Sequence, residues 1–294
     1  MSTARVAPMA PAQLEAWRAD REAAGRRLPD EAGDLEAVTL TVDDIEVGGA
    51  LLELTTDPGR RRCAVRILQT TLPRDADSAW AATIGALEAY ARARGAATLT
   101  TAVAPELARV FGAAGFSATM TTVGKRLDPG SAPELQEDRR VDVRPMDADE
   151  RRQFAVDVRE QLRAGMTRAG VVDPQTSQLD ELEARLDRLT DLVPPEDELL
   201  MMGTVGDVTV GRAWATLVER DGALDFHGNT IDLFPEHRGQ RLTPSFLGAL
   251  RRHVHELGVR DVHLRVYGHD TGARRTFVEH GAGLRDVHLR KDLH

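Results

Sequence analysis

Two groups of residues near the C-terminal end of the chain have the types and spacing to do chemistry. All nine histidines lie between His227 and His294. The first, His227, falls in Leu224-Asp225-Phe226-His227-Gly228-Asn229-Thr230, which reads as a strand, and an imidazole titrating near neutrality is a natural proton acceptor. Eleven residues later, Arg238 opens the second group in Pro235-Glu236-His237-Arg238-Gly239-Gln240-Arg241-Leu242-Thr243-Pro244. An apolar run (Ile231, Leu233, Phe234) leads into it, and Thr243-Pro244 has the form of a helix start, with Thr as N-cap and Pro at the first helical position. Strand, loop and helix then bring the backbone N–H groups of the loop to the positive end of a helix dipole, between two guanidiniums. Such a place attracts phosphate. The same residues also fit a histidine that only hydrogen-bonds its neighbours and a turn with solvated arginines.

Composition narrows the class. A chain of 294 residues that is 41% hydrophobic can bury a sizeable core, and its length favours two domains over one. Only two of its 38 cationic residues are lysines, Lys125 and Lys291, and the net charge is −9. That balance argues against a nucleic-acid or anionic-membrane partner and suits a cationic amine. Cys63 is the single cysteine, so no internal disulfide forms. No signal peptide opens the chain and no apolar run approaches the ~18 residues of a membrane span, so a cytoplasmic setting is expected. No His/Cys/Asp pattern along the sequence has metal-ligand spacing, and no metal is expected.

Hydrophobic periodicity gives the elements that must position these residues. Strand-like alternation over 33–56, with a turn expected at Gly48-Gly49, and the run Ala64-Val65-Arg66-Ile67-Leu68 precede a helix carrying Trp80, Ile84, Leu87 and Ala91 on one stripe. A strand, a short helix and a last strand near 118–127 complete a first half, 1–128. Residues 129–140, rich in Pro, Gly, Ser and charge, read as a linker. A second half, 141–294, starts afresh with a strand, Val141 to Pro145, followed by two helical segments over 147–192. Three strands in hairpin order, a helix from Pro244 to Leu257, a strand, a short helix and a terminal strand follow.

The halves look like copies. Gly85-Ala86-Leu87 matches Gly248-Ala249-Leu250 at an offset of 163 residues, as Gly95 matches Gly258; further on the offset is 166, where Gly115 matches Gly281 and Lys125 matches Lys291. Ordered matches across helix, strand, helix and strand favour duplication over chance. At offset 163, Arg238 to Thr243 fall on Asp75 to Trp80, a stretch with two carboxylates and no glycine, which would repel a phosphate.

The loop from Pro235 to Leu242 resembles the pyrophosphate loop of the Gcn5-related N-acetyltransferases (GNAT), Arg/Gln-x-x-Gly-x-Gly/Ala, with Arg238 on the first position and Arg241 and Thr243 replacing the two glycines. The resemblance covers most of 141–294 and, more faintly, about 1–128. It implies an α/β (α+β) fold of two tandem GNAT-like domains, each a mixed, mostly antiparallel sheet flanked by helices. It further implies acetyl-CoA as acyl donor, held by Leu233, Phe234, Arg238, Gly239, Gln240, Arg241, Leu242 and Thr243, with Asp270 and Phe277 after the fifth strand. GNAT domains often carry there a Tyr that protonates the leaving thiolate; Phe277 stands in its place, and Tyr267 or His269 is a possible substitute. His227 lies where related enzymes keep their general base, with Asp232 or Asp225 as fallback.

The implied activity is transfer of an acetyl or other small acyl group to a primary amine of a small molecule, with the chemistry in the second half. A non-catalytic acyl-CoA sensor or assembly module is the alternative. Neither the acceptor nor the number of chains in the assembly can be read from the sequence.

Overall fold

The computed structural model describes residues 2–23, 34–57, 60–127, 139–171, 178–191, 195–220 and 222–294. Residues 128–138, which hold most of the expected linker 129–140, lie outside them. In chain order the elements are β1 (Ala4–Pro8), α1 (Pro11–Ala23), β2 (Asp34–Val42), β3 (Ile45–Asp57), β4 (Arg60–Thr70), α2 (Asp77–Ala93), β5 (Ala96–Val103), α3 (Pro105–Ala113) and β6 (Ser117–Arg126). The same order, with an extra helix, then repeats: β7 (Asp142–Pro145), α4 (Ala148–Arg168), α5 (Gln178–Arg188), β8 (Glu198–Val205), β9 (Val208–Arg220), β10 (Ala223–Leu233), α6 (Thr243–Glu256), β11 (Val259–Tyr267), α7 (Thr271–Glu279) and β12 (Gly283–Asp292).

The chain divides into two compact units, Met1–Thr119 with Asp286–His294, and Met120–Arg285. In the first, the strands run β1-β2-β3-β4-β5-β12; in the second, β7-β8-β9-β10-β11-β6. Neighbours are antiparallel except β4–β5 and β10–β11, which are parallel and joined by a crossover helix. These units differ from the contiguous halves 1–128 and 141–294 by one strand each way. Residues Met120–Arg126 of β6 pair with β11, and Val287–Asp292 of β12 pair with β5. The matched lysines travel with the strands. Lys291 donates to Glu88 Oε1 and to the Ala114 carbonyl, both at 2.6 Å, beside Gly115 of the first unit. Lys125 lies against Gly281 of the second.

Local chemistry explains the boundaries. Asp147 caps α4 by accepting from the N–H groups of Asp149 and Glu150, while Glu150 reaches back to the Asp147 N–H, a complete capping box. The β2–β3 turn is made by Asp43 and Asp44, with φ of 49° and 62°, not by Gly48-Gly49 as the glycines suggest. Asp tolerates the left-handed region through local hydrogen bonding, so it can build a two-residue hairpin. Gly48 lies within β3 because a Cβ there would come within 2.0 Å of the Gln69 carbonyl oxygen.

The first core gathers Leu40, Leu52, Trp80, Ile84, Leu87, Leu99 and Phe111. In the second unit, Phe154, Val158, Leu186, Leu189 and Trp214 form a core under α4 and α5, and Val210, Phe246 and Leu250 form another under α6. Among the described residues, no helix is long and apolar enough to cross a membrane.

Candidate active site

The parallel pair β10–β11 opens partway along its length. Hydrogen-bonded register runs from Leu224↔Val259 to Gly228↔Leu264 and then stops, although β10 continues to Leu233 and β11 to Tyr267. Opposite β9, β10 carries a bulge between Gly228 and Thr230, which bends the strand at the point of departure. A cleft of about 350 Å³ fills the opening, lined by Asn229, Asp232, Arg238, Arg265, Tyr267 and Phe277, with Gln161 and Leu162 of α4 and Asp270 at the start of α7. The structure therefore brings together Asp232, Arg238, Tyr267, Asp270 and Phe277, five residues singled out from sequence. His227 is not on the cleft lining; it sits one residue below Gly228, on the rung before the last paired one.

Beyond the cleft the chain makes a single 3-10 turn, Pro235–His237, and enters the loop. Gly239 and Arg241 both adopt left-handed φ, 78° and 56°. Arg241 stands where the GNAT pattern has its first glycine, so the backbone keeps a glycine-type conformation under an arginine side chain, at a cost on the order of 1–2 kcal/mol. Among the described residues, the backbone N–H groups of Gly239, Gln240, Arg241 and Leu242 have no acceptor. Thr243 is the first residue of α6 rather than its N-cap. Leu242 holds the cap position with helical φ and ψ, and no side chain caps the helix. The loop donors are thus left without partners among the described residues, at the positive end of the dipole. Arg238 spans loop and cleft, its Nε donating to the Leu233 carbonyl at 3.1 Å, and Gln240 Nε2 donates to the Glu236 carbonyl at 3.0 Å.

Electrostatics separates the titratable residues. Burial holds the Asp232 carboxyl above the usual carboxylate range, and this outweighs the opposing pull of Arg212. Arg212, itself nearly buried, ties β9 to β10 and α4: Nε to Asp232 Oδ1 at 3.3 Å, Nη1 to Asp157 Oδ2 at 2.9 Å and Nη2 to Gln161 Oε1 at 3.5 Å. Burial pushes the Tyr267 hydroxyl up to about 12, so it carries its proton at neutral pH. Its ring stacks on His269 at 5.5 Å and lies against α4 at Gly165, where a Cβ would come within 2.6 Å of it. The His227 imidazolium is disfavoured first by burial and then by His263 and Arg265, so the ring stays neutral below the ordinary imidazole value. It stacks on His263, its register partner on β11, with centroids 4.8 Å apart.

On the α6 side of the same opening, a cavity of about 120 Å³ shares Ile231, Leu264 and Phe277 with the cleft and has Lys125, Arg251 and His280 at its edge. Sequence reasoning gave no residues on α4 and did not single out Arg212 or Arg265. A lone Arg in an apolar strand, Val210-Gly211-Arg212-Ala213-Trp214, was the available signal for a buried ion network.

No protein-family profile and no curated protein matches this sequence. Solved structures do. A GCN5-related N-acetyltransferase from Sphaerobacter thermophilus aligns with a TM-score of 0.52 at 18% identity, over 99% of this chain and 96% of its own. A tandem GNAT protein from the clavulanic acid biosynthesis pathway, solved without AcCoA, aligns over 99% of both chains at 17% identity with a TM-score of 0.48. At these identities the likeness speaks for the architecture, and the first of them carries it: the chain has the fold of the GCN5-related N-acetyltransferases, built twice along one polypeptide.

Proposed function

We propose that the second unit transfers an acetyl or other small acyl group from acyl-CoA to a primary amine of a small molecule. The observation that carries this reading is the run of acceptor-free N–H groups at Gly239–Leu242, leading into an uncapped helix and joined by Arg238 to an open cleft between two parallel strands. Diphosphate suits the loop, because charge-assisted bonds to backbone N–H and guanidinium are strong and the helix dipole adds to them. An extended pantetheine arm suits the opening between β10 and β11, where unpaired strand groups can bond its amides.

In the proposed reaction the amine nitrogen attacks the thioester carbonyl, the C–N bond forms and the C–S bond breaks. His227, neutral at physiological pH, takes the amine proton, through water since its ring lies just below the cleft. Tyr267, protonated and on the lining, supplies a proton to the departing thiolate, the role for which Phe277 has no group. Asp232 supports a second assignment of the base, because it lines the cleft directly and burial raises its pKa. The negative overall charge and the Asp232 and Asp270 carboxylates favour a cationic acceptor. Consumption of acetyl-CoA with a panel of primary amines tests the reading: turnover with at least one amine is expected, whereas CoA binding without turnover on any of them favours a sensor or assembly module.

A further inference from the structure

Asp225 and His227 are two residues apart on β10 and share a face; His263 faces His227 across the parallel register. The ligating atoms of the three side chains all lie within 4.8 Å of one another. Spacing along the sequence conceals this group, because its members meet across neighbouring strands. Two of its atoms are buried and make no hydrogen bond. Asp225 is 3% exposed, yet its Oδ1 accepts no hydrogen bond, and His227 Nε2 likewise has no partner. Arg260 forms an ion pair with that oxygen at 3.7 Å, too far for a hydrogen bond. A buried carboxylate oxygen left in this state is costly unless something else takes its lone pair.

We propose that Asp225, His227 and His263 form a binding site for a divalent transition metal of the zinc class. Two imidazoles and one carboxylate are a three-ligand set that leaves a fourth position for water. Zn–N and Zn–O bonds of about 2.0–2.2 Å place ligand atoms roughly 3.3 Å apart, so closure needs movements on the order of 1 Å. The stacked rings turn toward a common point by rotation about χ2, a soft torsion for histidine. Both imidazoles are only partly buried, which leaves an entry path. Hard cations are excluded: the group supplies a single carboxylate beside Arg260, with Arg265 and Arg220 near His227, whereas magnesium and calcium need several oxygens. Only an ion that bonds imidazole nitrogen gains enough there. If His227 is the base of the proposed acyl transfer, the same ion takes the lone pair the reaction needs. That consequence alone rests on the functional reading.

The test is a titration of the untagged full chain with Zn²⁺ by calorimetry, and with Co²⁺ by visible absorption. One saturable site per chain is expected, with the intense d–d bands of a four-coordinate ion, and His263→Ala should weaken it at least tenfold. Asp225→Asn should do the same; circular dichroism checks that each variant is folded, and His263→Gln replaces one that is not. No saturable binding below millimolar metal, or equal affinity in folded His263 variants, would overturn the site. Activity is a separate readout: binding without inhibition leaves the site standing and counts against His227 as the base.

Discussion

The strand–loop–helix connection occurs twice in this chain, once closed upon itself and once open. In the first unit, β4 ends at Thr70 and α2 begins at Asp77; the two donors at the helix start are consumed locally, Ala76 N–H by the Pro73 carbonyl at 3.1 Å and Asp77 N–H by the Asp75 carbonyl at 2.9 Å. The Asp77 carboxylate sits at the helix start, where Arg109 grips it at 2.7 Å and holds its pKa low. Trp80, 1% exposed, fills the space beneath and donates its indole N–H to Pro73. In the second unit the helix begins three positions later relative to its copy, and the freed residues make a longer loop with two left-handed positions. Thr243 replaces Trp80, Ala282 replaces Phe116 and Arg251 replaces Glu88, so a cavity and a cationic edge stand where the first unit has aromatic core and an acid. One backbone plan thus serves as ballast or as an anion site, depending on whether a carboxylate and a buried indole, or an open loop, stand at the start of the helix.

Substitutions in either copy put this contrast to the test. His227→Ala is expected to lower turnover by about a hundredfold to ten-thousandfold with CoA affinity nearly unchanged; wild-type turnover in steady-state assays would move the base to Asp232. The pH profile belongs with it. Because the folded pKa of His227 is lowered from 6.5, the acid limb should lie below that value. By the same sign, the unfolded chain binds more protons there, so the residue's contribution to stability is present above pH 6.5 and lost as pH falls below it. In the closed copy, Trp80→Ala should cost about 3–5 kcal/mol in urea unfolding, the penalty for emptying a buried aromatic site. Arg238→Ala with Arg241→Ala should weaken CoA by roughly 1–3 kcal/mol in calorimetry, for lost charge-assisted bonds. The smallest effect is the most diagnostic of backbone geometry: Arg241→Gly should raise stability by up to about 1 kcal/mol by relieving the left-handed arginine, while leaving the N–H donors in place.

Much of this was legible in the sequence, and the exceptions have physical causes. Alternation, helix stripes and Pro235…Thr243-Pro244 marked the strands, the helices and the loop, and the glycine and lysine matches marked the duplication. The exchange of β6 and β12 was not legible, since strand pairing is made by backbone groups that any sequence offers. Lys125 and Lys291 match each other equally well whichever sheet receives them. The turn at Asp43-Asp44 was hidden because Gly48, the stronger signal, serves a close strand approach instead. At the site, Arg241 in a glycine position is a departure from the GNAT pattern, yet its backbone adopts a left-handed φ without the glycine. The meeting of Asp225 and His227 with His263 depends on parallel register, which no spacing along the chain encodes.

The account turns on one loop being open and the other closed, and calorimetric titration of the full chain with CoA measures that directly. One CoA per chain is expected, lost or strongly weakened in the Arg238→Ala, Arg241→Ala variant and unchanged in Asp77→Ala. Two equivalent sites per chain, or a single site indifferent to the two arginines, would contradict it.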